Sequence, residues 1–295
     1  MTHTHHAAFE AFPVTAALIL LALVYMRGWV RVRRLDLHLI NGWRAVSFLV
    51  GLFFIWAAVA SPLAALDHEM LTAHMAQHLL LMTLAPPLIW LGAPVKALLG
   101  GLPPLFVQVV IAPIFCSPLI KGFGKTLTQP AIAWFGAAAT LVGWHISALF
   151  MLGMRSGVGH AIEQSSFLVT GLLFWWPVVR PWPTITELPE WSILLYLFLA
   201  TLPCDILSGF LVFCDRVVYP AYFASTQPFG LSVLQDQQCA GALMWTCVTL
   251  VYMIAGTIGT ARLLSAESPR QYWIVESDSH PSPSSGVTRQ TRKVA

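Results

Sequence analysis

Seven apolar runs, each long enough to cross a lipid bilayer, constrain the fold of this 295-residue chain more than any other feature of its sequence. A membrane-spanning helix needs about 20 predominantly apolar residues, and its backbone polar groups must be satisfied internally. Charged residues make up 10% of the chain, against about 25% in soluble globular proteins. The sequence predicts an all-α, polytopic transmembrane helical bundle with spans at roughly 13–30, 44–62, 70–91, 130–151, 160–179, 191–212 and 239–261.

An eighth apolar stretch, residues 102–119, is predicted not to cross the membrane. It contains four prolines and lies between Lys96 and Lys121, and a proline removes a backbone donor from a helix interior. We interpret it as an interfacial or re-entrant segment. If it crossed the bilayer, every later residue would change sides.

Basic residues predict the orientation, because short loops rich in Lys and Arg stay on the cytoplasmic side of a membrane. Of the sixteen basic residues, two, Arg155 and Arg216, fall in the predicted outer loops. This bias predicts an external N-terminus and a cytoplasmic C-terminus. The fourteen residues on the other side are Arg27, Arg31, Arg33, Arg34, Arg44, Lys96, Lys121, Lys125, Arg180, Arg262, Arg270, Arg289, Arg292 and Lys293.

The runs divide the chain into three regions. Residues 1–12 are predicted to form an external tail that contains histidines, and residues 13–264 the transmembrane helical domain. Residues 265–295 are rich in Ser, Pro and Arg and are predicted to be a disordered cytoplasmic tail. The first apolar run does not resemble a cleavable signal peptide, because its basic residues follow it rather than precede it.

Two histidines lie inside the third predicted span, where ionisable side chains are costly. His74 and His78 are four residues apart, so both imidazoles share one helical face. A charged side chain at the bilayer centre costs about 2.5–3.5 kcal/mol on insertion scales. Two neutral imidazoles on one face form half of a metal site or a haem site.

Polar residues of the later spans fall in the same outer half of the membrane as this pair. On the predicted topology they lie within roughly 10 Å of the outer ends, at about 1.5 Å per residue. This shared depth predicts one metal site. Its predicted ligands are His74, His78, His145, His160 and Asp236, with Glu163 and Asp205 as additional ones.

Several of these residues also have a structural interpretation. His145 is also typical of a hydrogen-bonded packing residue, and His160 and Asp236 of interfacial residues. Asp205 follows Pro203 and is also placed to cap a broken helix.

Among the five cysteines there is no C-x-x-C spacing, which excludes a thiol–disulfide exchange motif. Cysteine and methionine sulfurs in the outer half suit Cu(I), although such side chains also serve as apolar packing.

Several motifs in order resemble the CtaG-type cytochrome c oxidase assembly factors of bacteria, over about residues 15–262. They are AHMAQHLLLM at 73–82, APP at 85–87, LGAP at 91–94, WH at 144–145, GLLFWWP at 171–177, YPAY at 219–222 and DQQCAGALMW at 236–245. The resemblance implies a second His-x-x-x-His pair in the fifth span. Here His160 is followed by Gln164 instead, and an amide is a poorer copper ligand than imidazole. This departure predicts a weaker site, a site that uses Glu163, or the loss of one metal position.

The resemblance implies an integral membrane assembly factor for a haem–copper cytochrome c oxidase, not an enzyme, in the bacterial cytoplasmic membrane. The resemblance implies that the protein holds or supplies copper at the outer membrane face. The implied partners are oxidase subunits, periplasmic or extracellular copper carriers and the lipid bilayer, with no nucleic acid. Two alternatives stay open: a haem-binding electron carrier with His78 and His145 as axial ligands, and a transporter with Asp205 on the ion path.

Overall fold

The computed structural model describes residues 2–35, 41–182, 189–225 and 228–277, which are mostly helical and contain no β-strand. Two π-helical turns (Leu80–Leu84 and Val107–Ile111) and a 3₁₀ turn (Pro220–Ala224) accompany the α-helices. In chain order the α-helices are α1 (Thr2–Leu35), α2 (Gly42–Ala60), α3 (Leu63–Leu66), α4 (Leu71–Leu79), α5 (Ala85–Leu91), α6 (Pro94–Gly101), α7 (Pro104–Phe106), α8 (Ala112–Cys116), α9 (Pro118–Leu127), α10 (Pro130–His145), α11 (Ser147–Arg155), α12 (Gly157–Val179), α13 (Glu190–Phe213) and α14 (Val233–Ser277).

The predicted fold class is confirmed by the length and apolar character of these helices. In the described part of the chain, four helical segments can each cross a membrane: Phe12–Arg34, Gly42–Leu66, Trp191–Phe213 and Val233–Ser265. Three bent pairs of helices raise the number to as many as seven if each pair is one span. The pairs are Leu71–Leu91 with Pro94–Gly101, Pro104–Cys116 with Pro118–Leu127, and Pro130–His145 with Ser147–Arg155.

Helix α12 corresponds to the fifth predicted span but is not among these candidates. Its 23 residues give it a spanning length. Its first turns contain His160, Glu163 and Gln164, which lower its apolar character. Glu163 is fully buried, so the polar part of this helix faces other helices.

Helices α1 and α14 extend past the two limits of the predicted transmembrane domain. Helix α1 begins at Thr2 and so includes most of the predicted external tail, 1–12. Helix α14 continues to Ser277, past the predicted start of the disordered tail at residue 265. The rest of that tail, 278–295, lies outside the described residues. Which end of the bundle faces the cytoplasm stays a prediction from the Lys and Arg bias.

Helix α4 lies between two hydrophobic clusters. One cluster gathers around Tyr25 of α1 and Phe48 of α2, whose rings stack with centroids 3.9 Å apart. The other contains residues of α10 to α14, including Phe174 and Tyr196. Residues of α4 contribute to the second cluster and residues of the π turn after it to the first, so this part of the chain lies between the two.

A π-helical turn, Leu80–Leu84, interrupts the third predicted span just before Pro86 and Pro87. Because Pro86 has no N–H group, the Met82 carbonyl loses its helical donor. The Trp175 indole N–H donates to this carbonyl at 3.2 Å. Gly171 permits the close approach of α12, since a Cβ there would lie 2.8 Å from the Met82 backbone. A neighbouring helix thus compensates for the prolines, as membrane helices require.

The segment Leu71–Leu91 and α10 run antiparallel, because His145 at the end of α10 contacts Met75 near the start of that segment. The segment between them, 92–129, therefore begins and ends at the same side of the bundle. Inside it, Pro104–Cys116 and Pro118–Leu127 meet at an angle of 66°. This arrangement is typical of the re-entrant or interfacial segment that the prolines predict.

Candidate metal site

The centre of the site is a buried contact between α4 and α12. His74 and His78 share one face of α4, with ring centroids 4.4 Å apart. The Nε2 atom of each imidazole lies 3.4 Å from Oε1 of Glu163. His74 and Glu163 are fully buried, and His78 is 5% exposed. One ligand atom from each of the three residues lies within 4.8 Å of the others, close enough to bind one ion.

A second, overlapping group consists of Asp67, His74 and His160. His160 Nε2 lies 2.9 Å from Asp67 Oδ2, and His160 Nδ1 lies 3.5 Å from Glu163 Oε2. Asp67 follows α3 in the loop before α4. Burial alone would raise the pKa of its carboxyl group, but the hydrogen bond from His160 and the nearby imidazoles lower that pKa below its usual value. Asp67 is therefore available as an ionised ligand.

His145 approaches the same region from the last turn of α10. Its Nδ1 lies 2.7 Å from the Leu141 carbonyl oxygen, which only accepts hydrogen bonds, so Nδ1 carries the proton. The Nε2 atom lies 3.1 Å from the Met75 sulfur. The ring centroid of His145 is 6.1 Å from that of His78. His145 thus lies beside the two ligand groups rather than within them.

Apolar rings and a glycine shape the walls of the cluster. Phe167 stacks on His78 at 3.9 Å, and Phe150 contacts the His74 ring at 5.0 Å. A Cβ at Gly153 would lie 2.8 Å from Glu163 Oε2, so the absence of a side chain there makes room for the carboxylate. These contacts exclude water and fix the orientation of the imidazoles.

Several buried ligand atoms of the cluster lack a hydrogen-bond partner among the described residues. Such atoms are rare in folded proteins, and each costs about 1–3 kcal/mol. A cation would satisfy lone pairs on nitrogen and oxygen, and imidazole suits zinc, copper, iron and nickel. The donor set therefore fits a transition metal. The atoms are Asp67 Oδ1, His74 Nδ1, His78 Nδ1 and Nε2, His160 Nδ1 and Glu163 Oε2.

Gln164 occupies the position where the family resemblance implies a histidine. Its Nε2 lies 2.8 Å from His160 Nε2 and donates to Gln77 Oε1 at 3.1 Å. Gln77 in turn donates to Asp67 Oδ2 at 3.3 Å. Gln164 thus belongs to a polar ring around His160, and its neighbour Glu163 is the residue that faces the α4 histidines.

The structure places the other two predicted ligands outside both ligand groups. Asp236 Oδ2 accepts a hydrogen bond from the Leu71 N–H at 2.6 Å, and Oδ1 accepts one from the Thr72 N–H at 3.2 Å. Asp236 therefore caps the N-terminus of α4, where an anion is favoured. Asp205 is half-buried on α13.

Two residues of the site were not predicted from the sequence. Asp67 follows an apolar run and lies seven residues before His74. Its position just before a helix N-terminus is the sequence feature that could have indicated it as a site residue. Gly153 carries no chemistry of its own, and nothing in its local sequence indicates that a carboxylate from another helix packs against it.

The fold and site together define a multi-span helical membrane protein with a buried histidine–carboxylate cluster. The chain belongs to the family of cytochrome c oxidase caa3 assembly factors (Caa3_CtaG), whose model matches residues 23–265. This match confirms the resemblance indicated by the motifs. Members of the family are assembly factors for cytochrome c oxidase.

Curated relatives occur in mycobacteria. An uncharacterized protein of Mycobacterium bovis is 27% identical over 248 residues, which cover 80% of this chain and 36% of the relative. An uncharacterized protein of Mycobacterium leprae is 26% identical over 261 residues, which cover 82% of this chain and 37% of the relative. The chain thus spans little more than a third of these relatives. No solved structure matches it.

Proposed function

We propose that this protein holds copper near the outer membrane face and supplies it during assembly of a haem–copper oxidase. The observation that carries the proposal is the buried group of His74, His78 and Glu163, whose ligand atoms lie within 4.8 Å of one another. The family supplies the link to the oxidase, and the imidazole-rich donor set supports copper as the cargo. On this proposal the protein performs no catalysis, and its partners are oxidase subunits.

The position of the cluster supports loading from outside. On the orientation predicted from Lys and Arg, the cluster lies near the outer ends of α4 and α12. A periplasmic or extracellular copper carrier would meet that face of a bacterial cytoplasmic membrane. Asp67 lies in the loop before α4 and contacts His160, which is 14% exposed, so this pair offers first ligands to an incoming ion.

The two alternative functions find less support in the geometry. A cavity of about 40 Å³ lies beside His78 and His145, whereas ligand pockets commonly measure about 300–1,000 Å³. A porphyrin would need extensive rearrangement of the packed helices to lie between these histidines. For transport, Asp205 on α13 lies apart from both ligand groups.

The double substitution His74→Ala and His78→Ala tests the proposal. We expect near-normal abundance of the variant in the membrane, because removing polar groups from a span does not hinder insertion. We expect its copper content and the cytochrome c oxidase activity of the membranes to fall. Both are measured in cells that depend on this protein, with immunoblots of the protein and of the oxidase subunits.

The matched control is His68→Ala, which removes an imidazole whose side chain is 59% exposed. It should leave copper content and oxidase activity at the wild-type level. Wild-type oxidase activity in the double variant, at normal amounts of both proteins, would rule out the proposed role.

A further inference from the structure

A small chamber rich in sulfur ligands lies next to the histidine–carboxylate cluster. It has a volume of about 40 Å³ and is lined by α4, the following π turn, α10, α12, α13 and α14. That space holds no more than a few water molecules. Its lining is mostly apolar, and its potential ligands are Met75, His78, Met82, His145, Cys204 and Met244.

The contact between His145 and Met75 is unusual in this chamber, because both facing atoms are electron-pair donors. Nδ1 of His145 carries the proton and donates to the Leu141 carbonyl, so Nε2 presents a lone pair. The atom facing it at 3.1 Å is the Met75 thioether sulfur, which has no proton to donate. Met75 is fully buried and His145 is 6% exposed, so bulk water does not separate them. A cation bound to both atoms would turn this contact into an attraction.

The other sulfur atoms make the chamber softer than the neighbouring cluster. Cys204 and Met244 are each 3% exposed, and both line the same space. Thiolate and thioether ligands select Cu(I), whereas carboxylates suit harder ions. Among the described lining residues there is no carboxylate. A neutral, soft lining inside a membrane favours a monovalent cation, because a divalent ion costs far more to desolvate.

We propose that this chamber is a second metal site, selective for soft monovalent ions and therefore for Cu(I), with Met75 and His145 as its central ligands. The proposal rests on the proposed copper function and adds a site to it. His78 lines the chamber and also belongs to the cluster with Glu163. The two sites therefore share one imidazole.

Silver(I) is the probe, because it is a soft monovalent ion that does not change oxidation state under these conditions. The full-length protein, purified in detergent, is titrated with Ag(I) in competition with a chromogenic ligand. We expect Met75→Leu to weaken Ag(I) binding by about tenfold or more, since even groups that only orient metal ligands alter affinity by 10–100-fold. The fold should tolerate the change, because Leu and Met have similar volumes.

Met70→Leu is the matched control, because Met70 is also buried, at 6% exposure, but lies outside the chamber. It should bind Ag(I) as the wild type does. Equal Ag(I) affinity of the Met75→Leu and Met70→Leu proteins would overturn the chamber site. Cu(II) binding is measured on the same samples and should be retained in Met75→Leu but lost in the His74→Ala, His78→Ala protein. If only the chamber proposal is wrong, the His74→Ala, His78→Ala protein still loses Cu(II) binding. If the proposed function is wrong, that protein does not lose Cu(II) binding.

Discussion

Glu163 lies close to histidines of both ligand groups. Its Oε1 faces both α4 histidines at 3.4 Å, and its Oε2 lies 3.5 Å from His160 Nδ1. A single carboxylate thus touches three imidazoles that come from two helices. Its side-chain position is determined by packing, since Gly153 leaves the space that Oε2 occupies.

Gly153→Ala should weaken the metal site without removing a ligand. The new Cβ would lie 2.8 Å from Glu163 Oε2 and displace the carboxylate. We expect copper affinity to fall by about tenfold, as for other substitutions that misplace a metal ligand. The measurement is equilibrium copper binding by purified protein. Gly136→Ala is the control, because open space surrounds a Cβ at that position, and equal losses in both variants would refute the role of Gly153.

Gln164→His should strengthen copper retention. The Gln164 amide lies 2.8 Å from His160 Nε2 and is therefore near the group formed by Asp67, His74 and His160. An imidazole at this position adds a better copper ligand than an amide. Copper per protein is measured by elemental analysis of the wild type and the variant, purified side by side. Identical stoichiometry and affinity would mean that position 164 does not contribute to the site.

At the scale of a helix, α4 depends on a carboxylate from another element. Asp236, in the first turn of α14, accepts hydrogen bonds from the Leu71 and Thr72 N–H groups. Helix N-termini carry unpaired donors and partial positive charge. The N-terminal ends of α4 and α14 are therefore held together at the level of the site.

Asp236→Ala should lower stability while leaving the ligand set in place. Loss of a capping carboxylate costs about 0.5–2 kcal/mol, and we expect a lower midpoint of thermal unfolding in detergent. Asp236→Asn should lose less, because an asparagine side chain still accepts a hydrogen bond at a helix start. Copper stoichiometry of the folded variants is the second measurement. A loss of copper with unchanged unfolding temperature would make Asp236 a ligand after all.

Local and long-range signals explain which parts of the site were predictable. The i, i+4 spacing of His74 and His78 is local, so it identified one face of α4 without knowledge of other helices. The depth of a residue within a span is also a local property. It predicted that His145, His160 and Glu163 lie at one level of the membrane. The direction of a side chain at that level depends on packing between helices. Asp236 lies at the predicted depth, but its carboxylate accepts hydrogen bonds from the α4 backbone. Asp67 reaches the site from the loop before α4.

At the scale of the whole molecule, the segment Pro104–Leu127 is the part least integrated into the bundle. The side chains of α7 to α9 include no buried residue. Among the most exposed apolar side chains are Leu105 at 74%, Leu119 at 84% and Phe123 at 66%. An apolar segment of this kind, bent by 66° at its centre, is suited to lie in lipid without crossing it.

Single-cysteine labelling tests the topology on which loading from outside depends. The background lacks the five native cysteines, and one cysteine is introduced at Phe229 or at Gly124. Phe229 is 71% exposed in the connection between α13 and α14, and open space surrounds a Cβ at Gly124. The Lys and Arg bias places the first position outside and the second in the cytoplasm. Phe229→Cys should therefore react with an impermeant maleimide in intact cells, and Gly124→Cys only after the membrane is opened.

The failing pattern is the reverse of the expected one: Gly124→Cys reacts from outside, and Phe229→Cys reacts only after the membrane is opened. It arises if residues 102–119 cross the bilayer, because every later residue then changes sides, or if the whole bundle is inverted. The contact between His145 and Met75 places the end of α10 beside the start of the third span and argues against the crossing. In an inverted bundle His74 and His78 would lie near the cytoplasmic face, and an external carrier could not load them, although the cluster itself would remain intact.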